Sequence, residues 1–364
     1  MANATIISTL EYIFRRRQAS RVEIARHLNL SRAALTAAVN NLIAENLVRE
    51  SGTGSSCGGK PPVMLEIKGS AFTVAAIDIG SGRMLRGTLC DASGTFLKKS
   101  ERIYSQDHFI DDICELALQL VGRKHISAMG VSVSGIVDTG RNIVLESANF
   151  PLAHSGIAKI LSEKLGIPVL LGNRSRLAAS YEGIYGTACG RDDFLYVSLG
   201  KSIGSALCSN GIILEGVNHA AGEIRNFKCS FENRTLTLET LLSESFLLEQ
   251  FNSSTLEELV KMWESDDHKT TEKLKSVISS VAQVLAYLIQ FTDTALLIPG
   301  GRFRHFGSKF RQLFTSELIR YSGKNSCEII FSDAGEDAPL YGAAILAIRY
   351  TLQNLKTNRK GLEK

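Results

Sequence analysis

The sequence has few cysteines, and no two of them have Cys-x-x-Cys spacing. The seven cysteines are scattered along 364 residues, at positions 57, 90, 114, 189, 208, 229 and 327. An odd, dispersed set of this kind indicates reduced thiols. It argues against both a disulfide framework and a zinc ribbon.

Long hydrophobic runs are also absent. The nearest candidate, residues 281–298, is interrupted by Gln283, Gln290 and Asp293, so we expect no membrane-spanning segment and no membrane partner. The N-terminus lacks the basic-then-apolar order of a signal peptide, which predicts a cytoplasmic protein. Apolar residues make up 44% of the chain and charged residues 21%. These values are ordinary for a globular protein, and the length predicts two or three domains.

The net charge of +4 is concentrated at one end of the chain. Of 41 Lys and Arg and 37 Asp and Glu, nine and five respectively lie within residues 1–70, so the remainder is balanced. This asymmetry is typical of an N-terminal nucleic-acid-binding module on a neutral body. An excess of four charges could also arise by chance, so the inference needs a matching structural motif.

The first seventy residues supply that motif, a helix-turn-helix. Apolar residues recur at helical spacing from Ile6 to Ile13. Ser20 and Glu23 form a capping-box pattern before a second helix over 21–28, and Ser31 is a suitable N-cap for a third helix over 32–45. The residues expected to face inward are Val22, Ile24, Ala25 and Leu28 in the second helix and Leu35, Val39, Leu42 and Ile43 in the third.

Two strand-like segments, 47–50 and 63–67, then flank a Gly-rich tip and predict a wing. On this interpretation the third helix enters the major groove of double-stranded DNA, while basic residues meet phosphates or the minor groove. The expected major-groove residues are Arg32, Ala33, Thr36 and Asn40, and the expected basic contacts are Arg15, Arg16, Arg17, Arg49 and Lys60. A small dimerisation module with a solvated basic edge is the alternative. The agreement of helix spacing, turn, wing and charge favours DNA binding.

Beyond a boundary near residues 68–70, the body alternates strands and helices. The stretch 72–83 predicts an apolar strand that ends in an acid and a Gly-rich turn, and further strands are predicted over 84–91, 95–103 and 126–133. A helix is predicted over 110–120, and a second strand-turn-strand series begins at Phe194. Later segments predict helices over 236–251 and 273–291, a buried strand over 294–299, and a last helix from Asp337 whose small residues allow close packing. The polar loop 218–226 is suited to a ligand.

One turn of the body determines how its chemistry is interpreted. The apolar run 168–171 predicts a buried strand, Gly172 and Asn173 predict a turn, and Ser175 is the expected N-cap of the following helix. Strand ends of this kind carry ligand groups in α/β folds. Here the turn presents Asn173 and Arg174, and neither an amide nor a guanidinium is a plausible general base near neutral pH. The pattern therefore predicts binding without chemistry.

Four motifs occur in the order typical of one family: the wing over 59–66, the Asp78-Ile-Gly80 turn, the loop 218–223 and the helix start 338–344. On these motifs the chain resembles, over essentially its whole length, the ROK family (repressors, open reading frames and sugar kinases), and its winged helix resembles the repressor branch. The resemblance implies an α/β fold, in which a winged helix-turn-helix precedes two actin-like ATPase (ribonuclease H-like) lobes enclosing a cleft. The implied domains are 1–69, 70–185 and 186–364.

Departures from the kinase pattern then predict the loss of catalysis. The kinases have Asn-Asp where this chain has Asn173-Arg174, and their aspartate takes the proton of the sugar hydroxyl. The phosphate turn 78–83 lacks the family's threonine, Lys201 stands in the second phosphate turn, and the Gly-Gly-Gly near the adenosine site is reduced to Pro299-Gly300-Gly301. We therefore expect no catalytic residue, no cofactor and no enzymatic activity.

The family's structural zinc site is also expected to be missing. Its histidine corresponds to Asn226 and two of its cysteines to Phe231 and Leu236, which leaves too few ligands for a closed site around Cys229. Several sugar-binding positions do match. By resemblance the candidate ligand-binding residues are Asn149, Asn173, Arg174, Glu223, Asn226 and Glu239. The alternative is that they are capping and turn residues of a vestigial cleft, and His154 and His219 are interpreted as structural.

Three functions remain in competition. The first is a sugar-responsive DNA-binding regulator acting as a homodimer or higher oligomer, whose effector is a sugar or, given Arg174, Arg225 and Lys201, an anionic sugar derivative. The second is an ATP-dependent sugar kinase with an added DNA-binding head and Glu223 as substitute base. The third is a scaffold that binds no small molecule.

Overall fold

The computed structural model describes residues 2–54, 61–80, 83–147, 150–200, 203–265, 267–323 and 327–355, without the side chains of residues 2, 3, 304 and 305. The chain forms two compact units, one comprising Met1–Leu177 with Leu340–Lys364 and the other Ala178–Pro339. Both crossings between the units fall within helices. The domain boundaries expected at 69/70 and 185/186 remain predictions.

The N-terminal head is a winged helix-turn-helix. Its elements are α1 (Ala2–Arg16), β1 (Ala19–Ser20), α2 (Arg21–His27), α3 (Arg32–Ala44), β2 (Val48–Thr53) and β3 (Val63–Ile67). The three strands form an antiparallel sheet in the order β1-β3-β2. The predicted capping box is confirmed: the Ser20 amide donates to Glu23 Oε2 at 2.7 Å, and the Glu23 amide donates to Ser20 Oγ at 3.3 Å. Ser31 caps α3 as predicted, accepting from the Ala34 amide.

The core of the head confirms most of the predicted inward residues and corrects one. Ile24, Leu35 and Leu42 are fully buried, together with Leu10 and Ile13 of α1. Val22, by contrast, is 54% exposed. With 3.6 residues per turn, positions two apart lie on opposite sides of a helix, so a short α2 that buries Ile24 must expose Val22.

The rest of the first unit is built on a five-stranded sheet. In chain order its elements are β4 (Thr73–Ile79), β5 (Met84–Asp91), β6 (Phe96–Ile103), α4 (Phe109–Val121), β7 (Met129–Val133), β8 (Ile136–Asp138), β9 (Ile143–Glu146), α5 (Ile157–Leu165), β10 (Val169–Asn173) and α6 (Arg174–Ile184). The strand order is β10-β7-β4-β5-β6. The meander β4-β5-β6 is antiparallel, and β4, β7 and β10 are parallel.

The second unit repeats this sheet topology. Its elements are β11 (Phe194–Ser198), β12 (Gly204–Ser209), β13 (Ile212–Ile213), β14 (Lys228–Phe231), β15 (Arg234–Thr237), α7 (Leu238–Leu242), α8 (Glu244–Phe251), α9 (Leu256–Glu264), α10 (His268–Thr292), β16 (Leu296–Gly300), α11 (Gly307–Ser322) and β17 (Glu328–Ile329). The sheet order is β13-β12-β11-β16-β17, again a meander followed by two parallel strands. The last helix, α12 (Ala338–Gln353), begins in this unit and ends in the first.

The single helix predicted over 236–251 is wrong. The segment completes β15 and then forms two short helices, α7 and α8. Each helix has its own hydroxyl cap: Thr237 Oγ1 accepts from the Thr240 amide, and Ser243 Oγ accepts from the Phe246 amide. The apolar periodicity runs through this break, whereas the local hydrogen bonding of Thr and Ser restarts the helix.

Among the described residues, α10 alone is long and apolar enough, by length and composition, to cross a membrane. The polar residues Gln283, Gln290 and Asp293 in this region predict no membrane-spanning segment. Asp293 does not interrupt the helix but follows it as a left-handed C-cap. The apolar window of α10 is 56% buried, and Leu274, Ile278 and Leu285 belong to the core of the second unit. This is the pattern of a core helix.

The expected close packing of the last helix is confirmed. A Cβ atom on Gly342 of α12 would overlap the carbonyl oxygen of Leu177 in α6, and one on Gly130 of β7 would overlap the carbonyl oxygen of Ala343. Glycine is therefore required at both positions because backbone, which cannot swing aside, occupies the space of a side chain. At its far end α12 reaches the head, where Glu11 of α1 accepts a hydrogen bond from Gln353 and lies 3.7 Å from Arg349.

We expect Gly342→Ala to destabilise the first unit by about 1–3 kcal/mol, because the added methyl group must displace the α6 backbone. Urea unfolding of the full chain measures the effect. Gly140→Ala is the matched control, since a Cβ there would meet only Asp138 Oδ1 at 3.4 Å, an ordinary contact. Equal midpoints for the two variants would contradict the packing described here.

Candidate functional sites

Helix α3 presents the face that the sequence analysis assigned to DNA. Leu35, Val39 and Leu42 are buried against the head. The four candidates for base contact all lie on exposed positions of the helix: Arg32, Ala33, Thr36 and Asn40. Thr36 Oγ1 donates to the Arg32 carbonyl at 2.7 Å, which fixes its rotamer and leaves its methyl group free to contact a base.

The arginine cluster lies at the end of α1. Arg15 and Arg16 form the last turn of this helix and are half-buried, and the Arg16 guanidinium lies 5.9 Å from the centre of the Tyr12 ring. Arg17 is exposed and adopts a left-handed conformation, with φ 63°. The chain therefore turns sharply at this cluster. Lys60, the remaining basic candidate, lies outside the described residues.

Arg49 makes a contact within the wing that the sequence analysis did not foresee. Its guanidinium contacts Glu66 Oε1 at 2.6 Å through Nε and Nη2, while Gln18 Nε2 donates to Glu66 Oε2 at 2.9 Å. Burial raises the pKa of the Glu66 carboxyl, but hydrogen bonds from Gln18 and Arg49 outweigh that effect and leave the pKa lowered. A phosphate at Arg49 would have to share it with this carboxylate.

In the first unit, a buried carboxylate lies where the parallel strands end. Asp78, the next-to-last residue of β4, is only 1% exposed, and it accepts a hydrogen bond from Ser132 Oγ of β7 at 2.6 Å. Arg174, at the start of α6, completes the group: its Nε lies 3.2 Å from Asp78 Oδ1 and its Nη2 lies 3.3 Å from Asp78 Oδ2. The carboxyl ends of parallel strands meet at one edge of a sheet, which is why residues far apart in sequence converge here.

Asn173 is used by the fold itself. Its Nδ2 donates to the Gly135 carbonyl at 2.8 Å, and its Oδ1 accepts from the Arg176 amide at 3.0 Å. Asn173 therefore provides the side-chain cap of α6 and ties it to the segment before β8, and the expectation that Ser175 is the N-cap is wrong. The physical reason is that the strand continues through Asn173, which places that amide three residues before a free helical N–H.

Arg174 forms an ion pair that was not predicted from the sequence, and its role in ligand binding stays a prediction. Its guanidinium pairs with Asp78, and the side chains of the pair are 17% and 2% exposed. Gly80 lies against both groups, since a Cβ there would be 2.9 Å from Asp78 Oδ2. The sequence analysis missed this pair. One sequence signal could have indicated the pair: the acidic Asp78 ends one apolar strand, and the basic Arg174 follows another.

Removing the cation from this pair should be costly. We expect Arg174→Leu to destabilise the first unit by about 3–5 kcal/mol, because it leaves the Asp78 carboxylate buried with only Ser132 as a described partner. The double variant Asp78→Asn/Arg174→Leu should recover part of that loss. Urea unfolding of the wild type, both single variants and the double variant gives a coupling free energy. Additivity within about 0.5 kcal/mol would show that the pair does not act as a unit.

The second unit holds the other three described ligand candidates near one another. Glu223 Oε2 lies 3.4 Å from Arg225 Nε, and the Glu239 amide donates to the Arg225 carbonyl at 3.0 Å. Glu239 Oε2 accepts from the Ile203 amide at 3.0 Å, and Asn226 is exposed beside this group. These carboxylates and this amide could accept hydrogen bonds from ligand hydroxyls. Asn149 and Lys201 lie outside the described residues.

The segment expected to have lost a zinc site is a small apolar hairpin, β14-β15. Phe231 is fully buried in the core of the second unit, and Leu236 packs against that core. Burial raises the pKa of the Cys229 thiol, which therefore stays neutral. Within the described ranges, no group of three or more His, Cys, Asp and Glu side chains is placed to hold a metal ion.

Comparisons with known proteins agree with this architecture. The family model "ROK family" matches residues 74–350. The xylose repressor of Bacillus subtilis (strain 168) is 25% identical over 366 residues, covering 94% of each chain. The xylose repressor of Staphylococcus xylosus is 25% identical over 314 residues, covering 79% of this chain and 80% of its own.

Solved structures give the same fold. A ROK family transcriptional regulator, described as a homologue of the E. coli MLC protein, superposes with a TM-score of 0.79 at 16% identity and covers 97% of this chain and 96% of its own. A ROK family glucokinase from Streptomyces griseus, in complex with glucose and AMPPNP, has a TM-score of 0.66 at 19% identity and covers 75% of this chain and 98% of its own. With a family model spanning most of its length, the chain belongs to the ROK family.

Proposed function

We propose that the chain is a DNA-binding transcriptional repressor whose ROK body binds a sugar and does not phosphorylate it. The observation that carries the proposal is the polar, exposed face of α3 in a winged helix-turn-helix. The relatives named xylose repressors support the same function, since the matches to the Bacillus subtilis and Staphylococcus xylosus proteins extend over most of this chain. A kinase would have no need for such a head.

DNA recognition would divide between the exposed residues of α3 and the arginine cluster at the end of α1. Arg32 and Asn40 can form bidentate hydrogen bonds with guanine and adenine respectively, whereas Thr36 and Ala33 can contact a thymine methyl group. Arg15, Arg16 and Arg17 would neutralise phosphates without reading sequence. Because one helix reads only a few base pairs, we expect a dimer whose two heads bind half-sites about 34 Å apart or a multiple of that distance.

These roles predict different effects for two substitutions. Asn40→Ala should weaken binding to a preferred duplex, selected from a random library with the full chain, by about 1–3 kcal/mol and should affect random DNA little. Arg17→Ala should weaken binding to both the preferred duplex and random DNA. It should also reduce the slope of log affinity against log salt concentration by about one, the equivalent of one released counterion. Fluorescence anisotropy at several salt concentrations measures both. Lys159→Ala, in an exposed turn of α5, is the control for lost charge. If the selection yields no preferred sequence, or if Asn40→Ala binds the preferred duplex as tightly as the wild type does, α3 does not read the DNA sequence.

The absence of phosphoryl transfer rests on Arg174. By resemblance, this position holds the kinase's proton acceptor, and a guanidinium does not accept a proton near neutral pH. Its pairing with Asp78 further argues that it serves the fold. Glu223, the substitute base of the kinase alternative, is paired with Arg225, whose Nε lies 3.4 Å from Glu223 Oε2.

The effector is proposed to be an uncharged sugar that contacts Glu223, Asn226 and Glu239. An anionic derivative was expected because of Arg174 and Arg225, but both guanidinium groups have carboxylate partners, Asp78 and Glu223. Little uncompensated positive charge then remains in these described residues to attract a phosphate. The relatives' name makes xylose the first sugar to test.

The effector proposal is tested by calorimetry and DNA binding together. We expect one of a panel of neutral aldoses, beginning with xylose, to bind and to change DNA affinity by about 5–150-fold, the usual range of allosteric coupling. Its phosphate ester should bind no more tightly. Glu223→Gln should weaken sugar binding while leaving DNA affinity without sugar unchanged. If no sugar in the panel binds, the scaffold alternative is favoured. ATP-dependent sugar phosphorylation that Glu223→Gln abolishes would establish the kinase alternative.

A further inference from the structure

The second unit contains a cavity that the proposed sugar site does not use. It has a volume of about 520 Å³ and lies beside the end of β16, between α8, α9 and the 3-10 turn Arg302–Phe306. Cavities of about 300–1,000 Å³ with an apolar lining and a few polar groups are typical small-molecule sites. Glu223, Asn226 and Glu239 are not among its lining residues.

The inner wall of this cavity is apolar. Leu242, Leu247 and Phe303 are almost fully buried and line it, and Leu256 and Val260 of α9 extend the apolar surface toward solvent. A ring or a short alkyl chain placed there would remove both its own surface and part of this wall from water.

Arg302 crosses the cavity and is neutralised within it. Its Nη1 lies 2.8 Å from Glu244 Oε2, and its Nε lies 3.5 Å from Glu336 Oε1. Its aliphatic stem lies against Gly200, where a Cβ atom would be 3.2 Å from Arg302 Cγ. By resemblance, Gly200 opens the second phosphate turn and Gly300 marks the adenosine site, so the arginine and its two carboxylates stand in the region where a kinase would hold its nucleotide.

The mouth of the cavity adds further negative charge. Glu257 and Glu264 of α9 line it with Lys261 between them, and all three are exposed. Together with Arg302, Glu244 and Glu336, the described lining has four carboxylates and two cations. The described part of the lining therefore disfavours a polyphosphate and attracts a cation, most strongly at the α9 rim.

We propose that this cavity binds a small molecule with an apolar ring or alkyl body and one cationic amine. The body packs against Leu242, Leu247 and Phe303, and the ammonium group lies at the α9 rim beside Glu257 and Glu264. This second ligand is independent of the sugar effector, so its failure would leave the proposed DNA-binding function untouched.

The chain carries its own reporter for this cavity. Trp263 is the only tryptophan in the sequence. It lies on α9, is 1% exposed, and donates from Nε1 to the carbonyl of Phe306 at 3.1 Å. Phe306 lines the cavity. A ligand that moves α9 or the 3-10 turn alters the surroundings of this single fluorophore.

The test compares three probes of one shape on the full chain: 4-phenylbutylamine, 4-phenylbutanol and 4-phenylbutyrate, with AMP as the nucleotide. Tryptophan fluorescence and calorimetry give the affinities. We expect the amine to bind about tenfold more tightly than the carboxylate, with the alcohol between them, because the rim charge attracts one and repels the other. Added salt should reduce the difference in affinity between the amine and the carboxylate, because it screens the charges at the rim.

Matched variants locate the effect. Glu257→Gln/Glu264→Gln should reduce amine affinity about threefold to fivefold, toward that of the alcohol, and leave the alcohol unchanged. Glu249→Gln, on α8 outside the cavity, is the control and should change nothing. Leu256→Phe should weaken all three probes by filling the apolar wall. Equal binding of amine and carboxylate, tighter binding of AMP, or no binding of any probe would overturn the proposal.

Discussion

A carboxylate cannot remain charged inside a protein without a partner, and Asp78 obtains one from the chain's own Arg174. The pair joins the end of β4 to the first turn of α6, while Ser132 of β7 binds the same carboxylate. Asn173, one residue before Arg174, fixes α6 to the segment before β8. Four polar side chains thus hold together the edge of the sheet where α/β folds place ligands. Removing one member of the pair would leave the other charge buried without compensation, which is strongly destabilising.

In the second unit, too, side chains of the protein contact one another at positions where the resemblance predicts contacts with a ligand or a metal. The hairpin β14-β15 has Phe231 and Leu236 where the resemblance expects metal ligands, and both side chains join the apolar core. Hydrophobic burial can stabilise such a hairpin as a metal would, without dependence on ligand protonation. Arg302 with its two glutamates repeats the pattern a third time. At each of these places, side chains of the chain contact one another.

The sequence could predict elements whose signals are local. The Ser20–Glu23 capping box, the Met84–Asp91 strand and the close packing of α12 are each encoded within a few residues, and the structure has all three. Pairing between residues that are far apart in the chain could not be predicted from the sequence. Arg174 is predicted from the sequence as a ligand-binding cation, and its pairing with Asp78 could not be predicted because the two residues are 96 positions apart. The break in the helix expected over 236–251 was missed for the opposite reason, since periodicity ignores the caps at Thr237 and Ser243.

The meeting of α1 and α12 links the two ends of the chain. Glu11 touches Arg349 and Gln353 through exposed side chains, a contact of the kind that contributes about 0–1 kcal/mol. A contact this weak costs little free energy to break. The contact also matters for chimeric proteins. A winged helix taken from a relative would lack the end of α12 with which it normally pairs. A working chimera would therefore need both ends of the donor sequence, although only one of them approaches DNA.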